Sequence, residues 1–133
     1  MDCVFCEGIE DHQVLIETEN YKVVFDIDPI QIGHLLIISK AHYETLLEIN
    51  EELLIELLAI QKQMIALLEK EFHVDGVSII QNNGEIMDKG THFHVHVVPR
   101  YHDDHFWANQ QVVDKPLSID ELVKELKHLT RGN

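Results

Sequence analysis

The sequence predicts an α+β fold: an antiparallel sheet of about five strands carrying one long helix and one C-terminal helix. Three observations lead there. Short β-rich runs bounded by turn residues recur along the chain, around 12–18, 21–27, 33–39, 77–81 and 92–98. A long apolar-periodic stretch follows Asn50, and a capping box opens near the C-terminus.

Taken in order, His12 to Thr18 and Tyr21 to Ile27 are β-rich runs parted by Glu19-Asn20, which reads as a hairpin. "GHLLIIS" (33–39) is a continuous apolar run, as expected of a strand buried on both faces. "KAHYETLLEI" suggests a short helix. Asn50, with Glu51 and Glu52 behind it, supplies the cap and first-turn acids of a long helix reaching about Phe72. Strands are expected at Val77 to Gln81 and His92 to Val98. Ser118-Ile119-Asp120-Glu121 then opens the last helix, to about Leu129.

The long helix carries two apolar stripes, whereas a surface helix usually shows one. Leu53, Leu57, Ile60, Met64 and Leu67 form the first; Leu54, Leu58, Ile65 and Leu68 form the second, widened by Ile55 and Ala59. Either the chain's own sheet and C-terminal helix cover both, or one stripe packs on a partner subunit. The expectation is a homodimer.

A chain of 133 residues is expected to form one domain spanning 1–133. No run approaches the roughly 18 apolar residues of a membrane span, and the N-terminus lacks the basic and apolar regions of a secretory signal. A cytoplasmic protein without a membrane partner is expected. With 24 acids against 10 bases the formal charge is −14, so the chain lacks the basic footprint that a nucleic-acid polymer requires. Small phosphorylated ligands remain open, because local amides and imidazoles hold them rather than net charge.

"THFHVHVVPR" (91–100) sets His92, His94 and His96 at alternate positions. On a strand these project to one side, roughly 6.5–7 Å apart, while Phe93, Val95 and Val97 face the other. No packing rationale requires three imidazoles in strict alternation. Two chemistries fit. Alternate histidines can grip a catalytic metal, leaving a position open for water. Or a neutral imidazole can attack phosphorus, splitting one displacement into two. Periodicity alone does not choose between them.

The run His92-Phe93-His94-Val95-His96-Val97-Val98 resembles the His-φ-His-φ-His-φ-φ signature (φ apolar) of the histidine triad, or HIT, superfamily. Further pieces of that pattern stand in order: "CVFC" at the N-terminus, "FDIDPIQIGHLLIISKAH" at 25–42, "QNNGE" before the triad and "PRY" after it. The resemblance implies a HIT-like fold and a nucleotide hydrolase of the bacterial HIT type. By that resemblance His94 is the nucleophile, His96 contacts the phosphate and assists the leaving group, and His34 lines the same site. Histidine rather than glutamine at 96 points to the hydrolase branches. Asp26 matches the acid that binds the ribose hydroxyls, Ile27 packs on the base, and Asn82 lies near the sugar-phosphate. Where many members carry Gly-Gln-Ser, this chain has "DKGT" (88–91), so Gly90 and Thr91 are the expected sources of a phosphate-side amide and hydroxyl, with Lys89 a charge there.

Cys3 and Cys6 form a single Cys-x2-Cys, which is half of a tetrahedral zinc site. A disulfide is not expected in a cytosolic chain, and no strand precedes the pair as a redox motif requires. Relatives complete the site with positions that match His42 and His92, so the resemblance implies structural zinc on Cys3, Cys6, His42 and His92. His102, His105 and Trp107 read as an exposed loop without a role.

The expected activity is nucleotide hydrolysis or nucleotidyl transfer on a purine, AMP-like substrate through a nucleotidyl-histidine. Nucleoside phosphoramidates, dinucleoside polyphosphates and phosphosulfates share the nucleotidyl half. The competing readings are a metal-dependent hydrolase with triad histidines as ligands, and a non-catalytic zinc-stabilised nucleotide-binding protein.

Overall fold

The computed structural model describes residues 3–131, with side chains to 129, so both ends of the expected 1–133 domain lie outside the described residues. The chain runs α1 (Val4–Glu7), β1 (Ile16–Glu17), β2 (Tyr21–Phe25), β3 (Leu35–Ser39), α2 (Glu51–Glu71), β4 (Gly76–Gln81), β5 (His94–Arg100) and α3 (Ile119–Arg131). The five strands form one antiparallel sheet in the order β1-β2-β3-β5-β4.

β3 is the centre of the sheet, and its residues Leu35 to Ser39 are all buried, as a continuous apolar run requires. α2 starts where Asn50 accepts the Leu53 amide at 3.0 Å. It covers one face of the sheet, burying Leu57, Ile60, Met64 and Leu68 against Tyr21, Val23, Leu35, Ile37, Phe93, Val95 and Val97. The Tyr21 hydroxyl donates to the Leu53 carbonyl at 2.7 Å. Glu56 accepts from the Thr18 hydroxyl at 2.6 Å and from the Asn20 amide at 2.9 Å. These bonds fix the helix on the β1–β2 turn.

Alternation along β5 then turns His94 and His96 to the opposite face, across from Ile38 and Leu36. A small second cluster lies there: Val24, Leu36 and Ile38, with Phe5, Ile9 and Val14 packed on it. The N-terminal segment is therefore the cover of the histidine face.

Several local expectations are corrected. His12 sits in a single 3-10 turn (Asp11–Gln13), closed by the Gln13 side chain accepting the Glu10 amide at 2.8 Å, so β1 shrinks to two residues. "KAHYETLLEI" yields only a 3-10 turn at Leu46–Glu48, because the Leu46 amide is held by the Asn83 side chain at 2.6 Å. The strand at the triad begins at His94; His92 and Phe93 precede it, with the Phe93 amide donating to the Tyr43 carbonyl. On α2 the buried row ends in Leu68 rather than Leu67.

The second stripe of α2 is open in part: Ile55, Leu58 and Ala59 are exposed, as is Leu67 of the first, whereas Leu68 is buried and Leu54 packs on the core. α3 does not cover it. Its own apolar row (Ile119, Leu122, Val123, Leu126, Leu129) is exposed as well. The Ser118 hydroxyl accepts the Glu121 amide at 3.3 Å, so the expected cap is in place. Among the described residues no helix is long and apolar enough to cross a membrane.

Candidate active site and metal cluster

The loop from 26 to 34 returns to its own start. The Asp26 amide donates to the His34 carbonyl at 3.0 Å, and the Asp28 amide donates to Asp26 Oδ1 at 2.8 Å. Gly33 closes the loop at φ 93°, where a Cβ would come within 3.2 Å of Pro99 Cγ. This return carries the buried His34 ring under His96.

Hydrogen-bond partners fix the ring protons. The Ile30 amide donates to His34 Nδ1 at 3.0 Å, so that nitrogen is an acceptor and the proton sits on Nε2. His34 Nε2–H therefore donates to His96 Nδ1 at 2.9 Å, and His96 in turn carries its proton on Nε2. Asp26 Oδ2 lies 3.4 Å from His34 Nε2 and 3.8 Å from His96 Nδ1. Burial lowers the pKa of His34, and burial with the neighbouring imidazoles pushes His96 down to about 4. Both rings are neutral at pH 7.

His94 is set the opposite way. Its Nδ1–H donates to the His92 carbonyl at 2.7 Å, which leaves Nε2 with its lone pair. The Phe5 ring meets His94 edge-on with centroids 4.9 Å apart, and the His94 and His96 rings are 4.8 Å apart.

These rings border a cavity of about 330 Å³ that also takes in Phe5, Ile9, Asp26, Ile27, Asp88 and Thr91. Ile27 stands at its rim, 89% exposed. The structure thus brings together His94, His96, Asp26, Ile27 and Thr91, with His34 directly behind. Asn82 follows the last β4–β5 pair, Gln81 with Val95, and is not on the cavity wall among the described residues. Gly90 borders the neighbouring cavity instead, and its carbonyl accepts the Val4 amide at 2.7 Å.

Thr91 departs from expectation as a donor. Its hydroxyl donates to the Asp88 carbonyl at 2.6 Å, and its amide points to the same oxygen at 3.3 Å. Lys89 faces the neighbouring cavity with Cys3 and Gly90. The Thr91 hydroxyl expected as a phosphate-side donor is therefore already engaged within the "DKGT" turn.

Phe5, Ile30 and Asp88 went unread as site residues. Phe5 lies between two candidate metal ligands, so its place follows once Cys3 and Cys6 are pinned to His92. Ile30 acts only through its amide, and no side-chain pattern signals that. Asp88 was visible as an acid where relatives carry Gly-Gln-Ser.

On the other side of Phe5, Cys3, Cys6, His42 and His92 bring four ligand atoms within 4.8 Å of one another. Cys3 Sγ is 3.3 Å and Cys6 Sγ 3.5 Å from His92 Nδ1, and Cys6 Sγ is 3.2 Å from His42 Nδ1. Tetrahedral zinc with usual bond lengths sets sulfur and nitrogen roughly 3.5 Å apart, so the donor set fits. His92 Nε2–H donates to the Ser39 carbonyl at 2.5 Å, which turns the Nδ1 lone pair to the thiols.

Asp26, His34 and His96 also lie within 4.8 Å. A cation on His34 Nε2 would drive the ring proton to Nδ1, against the Ile30 N–H. That amide makes the trio a hydrogen-bond relay rather than a metal site.

The HIT domain model matches residues 7–103. A HIT-like protein of Methanocaldococcus jannaschii is 33% identical over 129 residues, covering 94% of this chain and 98% of its own. Adenosine 5'-monophosphoramidase HNT1 of Saccharomyces cerevisiae is 35% identical, covering 74% and 62% respectively. A crystal structure of a zinc-bound histidine triad family protein from Mycobacterium smegmatis superposes with TM-score 0.67 at 29% identity, covering 100% of this chain and 99% of that one. The fold, the triad and these matches together place the chain in the HIT family.

Proposed function

We propose that this HIT-family protein is a nucleotide hydrolase that cleaves nucleoside phosphoramidates or dinucleoside polyphosphates through a nucleotidyl-His94 intermediate. One observation carries the reading: the His92 carbonyl holds the Nδ1 proton of His94, so its Nε2 lone pair is the free nucleophile beside the cavity. A non-catalytic binding module has no need of that arrangement.

In the first step His94 Nε2 attacks the α-phosphorus, and the bond to the leaving group breaks with its electron pair. The leaving atom takes a proton from solvent. The adduct is a nucleotidyl-imidazolium whose Nδ1–H stays on the His92 carbonyl. His96 Nε2–H, neutral and aimed by His34, donates to a phosphoryl oxygen where charge gathers. In the second step water attacks phosphorus, the bond to Nε2 breaks, its electrons return to the ring, and a proton goes back to solvent. One water is consumed.

Asp26 accepts the ribose hydroxyls, while Ile27 and Phe5 pack on the base. An AMP-like purine nucleotide is the substrate half, in keeping with the activity that names the yeast relative. Cys3, Cys6, His42 and His92 would hold zinc, which supplies a cross-link between the N-terminal cover and the triad and takes no part in the displacement. The open faces of α2 and α3 favour a homodimer.

The test is rapid quench with substrate labelled in the α-phosphate. An acid-labile, base-stable label on His94 is expected. Label elsewhere, or turnover without label, overturns the mechanism.

A further inference from the structure

We infer that Asp88 selects the leaving group, favouring amines over phosphates, because it stands with His94 and His96 on a cavity wall that carries neither lysine nor arginine among the described residues. The inference rests on the nucleotidyl-transfer reading above and adds which substrate class that site takes.

The cavity wall carries three carboxylates, Asp26, Asp28 and Asp88, and neither lysine nor arginine among the described residues. His34 and His96 add no positive charge, for the reasons given above. Arg100, further along the same strand, is closed off by Asp104 in a bidentate pair of 2.6 and 3.0 Å. Lys89 borders the neighbouring cavities, one of which Asp88 also lines, and is not on this wall.

The carboxylates are not equivalent. Asp26 is engaged by the Asp28 amide and lies against the His34–His96 pair. Asp88 belongs to the segment that leads into the triad, its side chain is exposed, and it makes no side-chain hydrogen bond among the described residues. Its charge is felt at His96, whose proton affinity it raises. Thr91 beside it presents only hydroxyl lone pairs, since its hydrogen is engaged by the Asp88 carbonyl. This wall therefore offers acceptors and negative charge.

A polyphosphate leaving group brings two or more further negative charges and needs cations or N–H donors to hold them. An amine brings N–H groups and carries positive charge once its nitrogen is protonated for departure. A solvent proton adds to the phosphoramidate nitrogen, and Asp88 accepts a hydrogen bond from the resulting N–H. His94 Nε2 then attacks, the P–N bond breaks, and a neutral amine leaves with the electron pair.

The experiment compares kcat/KM for adenosine 5'-phosphoramidate carrying a tryptamine leaving group with kcat/KM for diadenosine triphosphate, in wild type, Asp88→Asn and Asp88→Ser. Wild type is expected to prefer the phosphoramidate. Both variants should shift the ratio towards diadenosine triphosphate by about tenfold or more, from removal of one facing charge at close range. A ratio unchanged within about twofold in both variants, with wild type active, overturns the role of Asp88 and leaves the His94 mechanism standing. No turnover of either probe by wild type overturns that mechanism and this inference with it. As a second readout, Asp88→Asn in a His94→Ala background should raise affinity for ATP more than for AMP; equal changes count against the inference.

Discussion

His34 donates its Nε2–H to His96 Nδ1 over 2.9 Å, and the Ile30 amide at 3.0 Å is what holds the proton on that side of the ring. A single backbone N–H thereby determines which nitrogen of His96 carries hydrogen, two hydrogen bonds away. Nitrogen-resolved NMR of the neutral protein should show His34 and His96 protonated at Nε2 and His94 at Nδ1. His34→Phe, which removes the donor, should lower kcat by about ten- to a hundredfold with a smaller change in KM. His34→Gln, which keeps an N–H, should recover part of the loss. If the two variants behave alike, His34 is packing rather than relay.

The same burial gives a pH dependence. His96 is pushed down to about 4 from the 6.5 of an exposed histidine, so between those values the unfolded chain binds a proton that the folded chain refuses. Stability from this group is intact above about 6.5 and is lost as pH falls towards 4, by roughly 2–4 kcal/mol in all. His34, lowered for the same reason, acts in the same direction. Denaturant midpoints from pH 7.5 to 4.5 should fall in wild type and fall less in His96→Gln; a parallel decline in both would remove His96 as the cause.

Zinc on the Cys3–Cys6–His42–His92 cluster should appear as about one equivalent per chain in protein purified without chelator. Cys6→Ser, at the exposed ligand, should lower the metal content and the melting temperature together, because binding to the folded site contributes folding free energy. Chelation should loosen the α1 cover but leave the His94 lone pair where it is. Activity lost at once on chelation, with fold and nucleotide binding unchanged, would return the metallohydrolase reading to first place.

The exposed row of α3 and the open stripe of α2 should meet a second copy of the chain. Sedimentation at micromolar concentration should give about twice the 15.4 kDa of one chain. Leu126→Glu or Leu58→Glu should shift it to monomer. A wild-type monomer would sink the dimer.

How far the sequence spoke for itself depended on whether a feature was local. The β3 run, the Asn50 and Ser118 caps and, from His94 onward, the strand alternation of the triad are properties of neighbouring residues, and each reappears in the structure. β1 was overestimated because Gln13 folds back on Glu10, a side-chain bond that competes with the strand. The site split along the same line. His94 and His96 share a face by strand geometry alone. The relay needs the 26–34 loop to close on Gly33, and the engagement of Thr91 with Asp88 is a turn that composition does not declare. Asn82 was placed by pattern, and the cavity wall does not include it.

The decisive substitution is at the residue whose lone pair is free. His94→Ala removes the nucleophile but none of Asp26, Ile27 or Phe5, so a nucleoside monophosphate should still bind, by calorimetry, within a few-fold of wild type. Turnover should drop a thousandfold or more, roughly 4 kcal/mol in the barrier, as expected when covalent catalysis is lost and not merely a positioning contact. His94→Gly leaves room for an imidazole ring. Adenosine 5'-phosphoimidazolide already contains the phosphorus–imidazole bond that His94 would form, so its hydrolysis by His94→Gly should exceed that by His94→Ala. The His96 donor and the ribose contacts then act on a ready-made intermediate. Near-normal turnover of phosphoramidate by His94→Ala would show that another group attacks phosphorus, and the free Nε2 of His94 would need a different explanation.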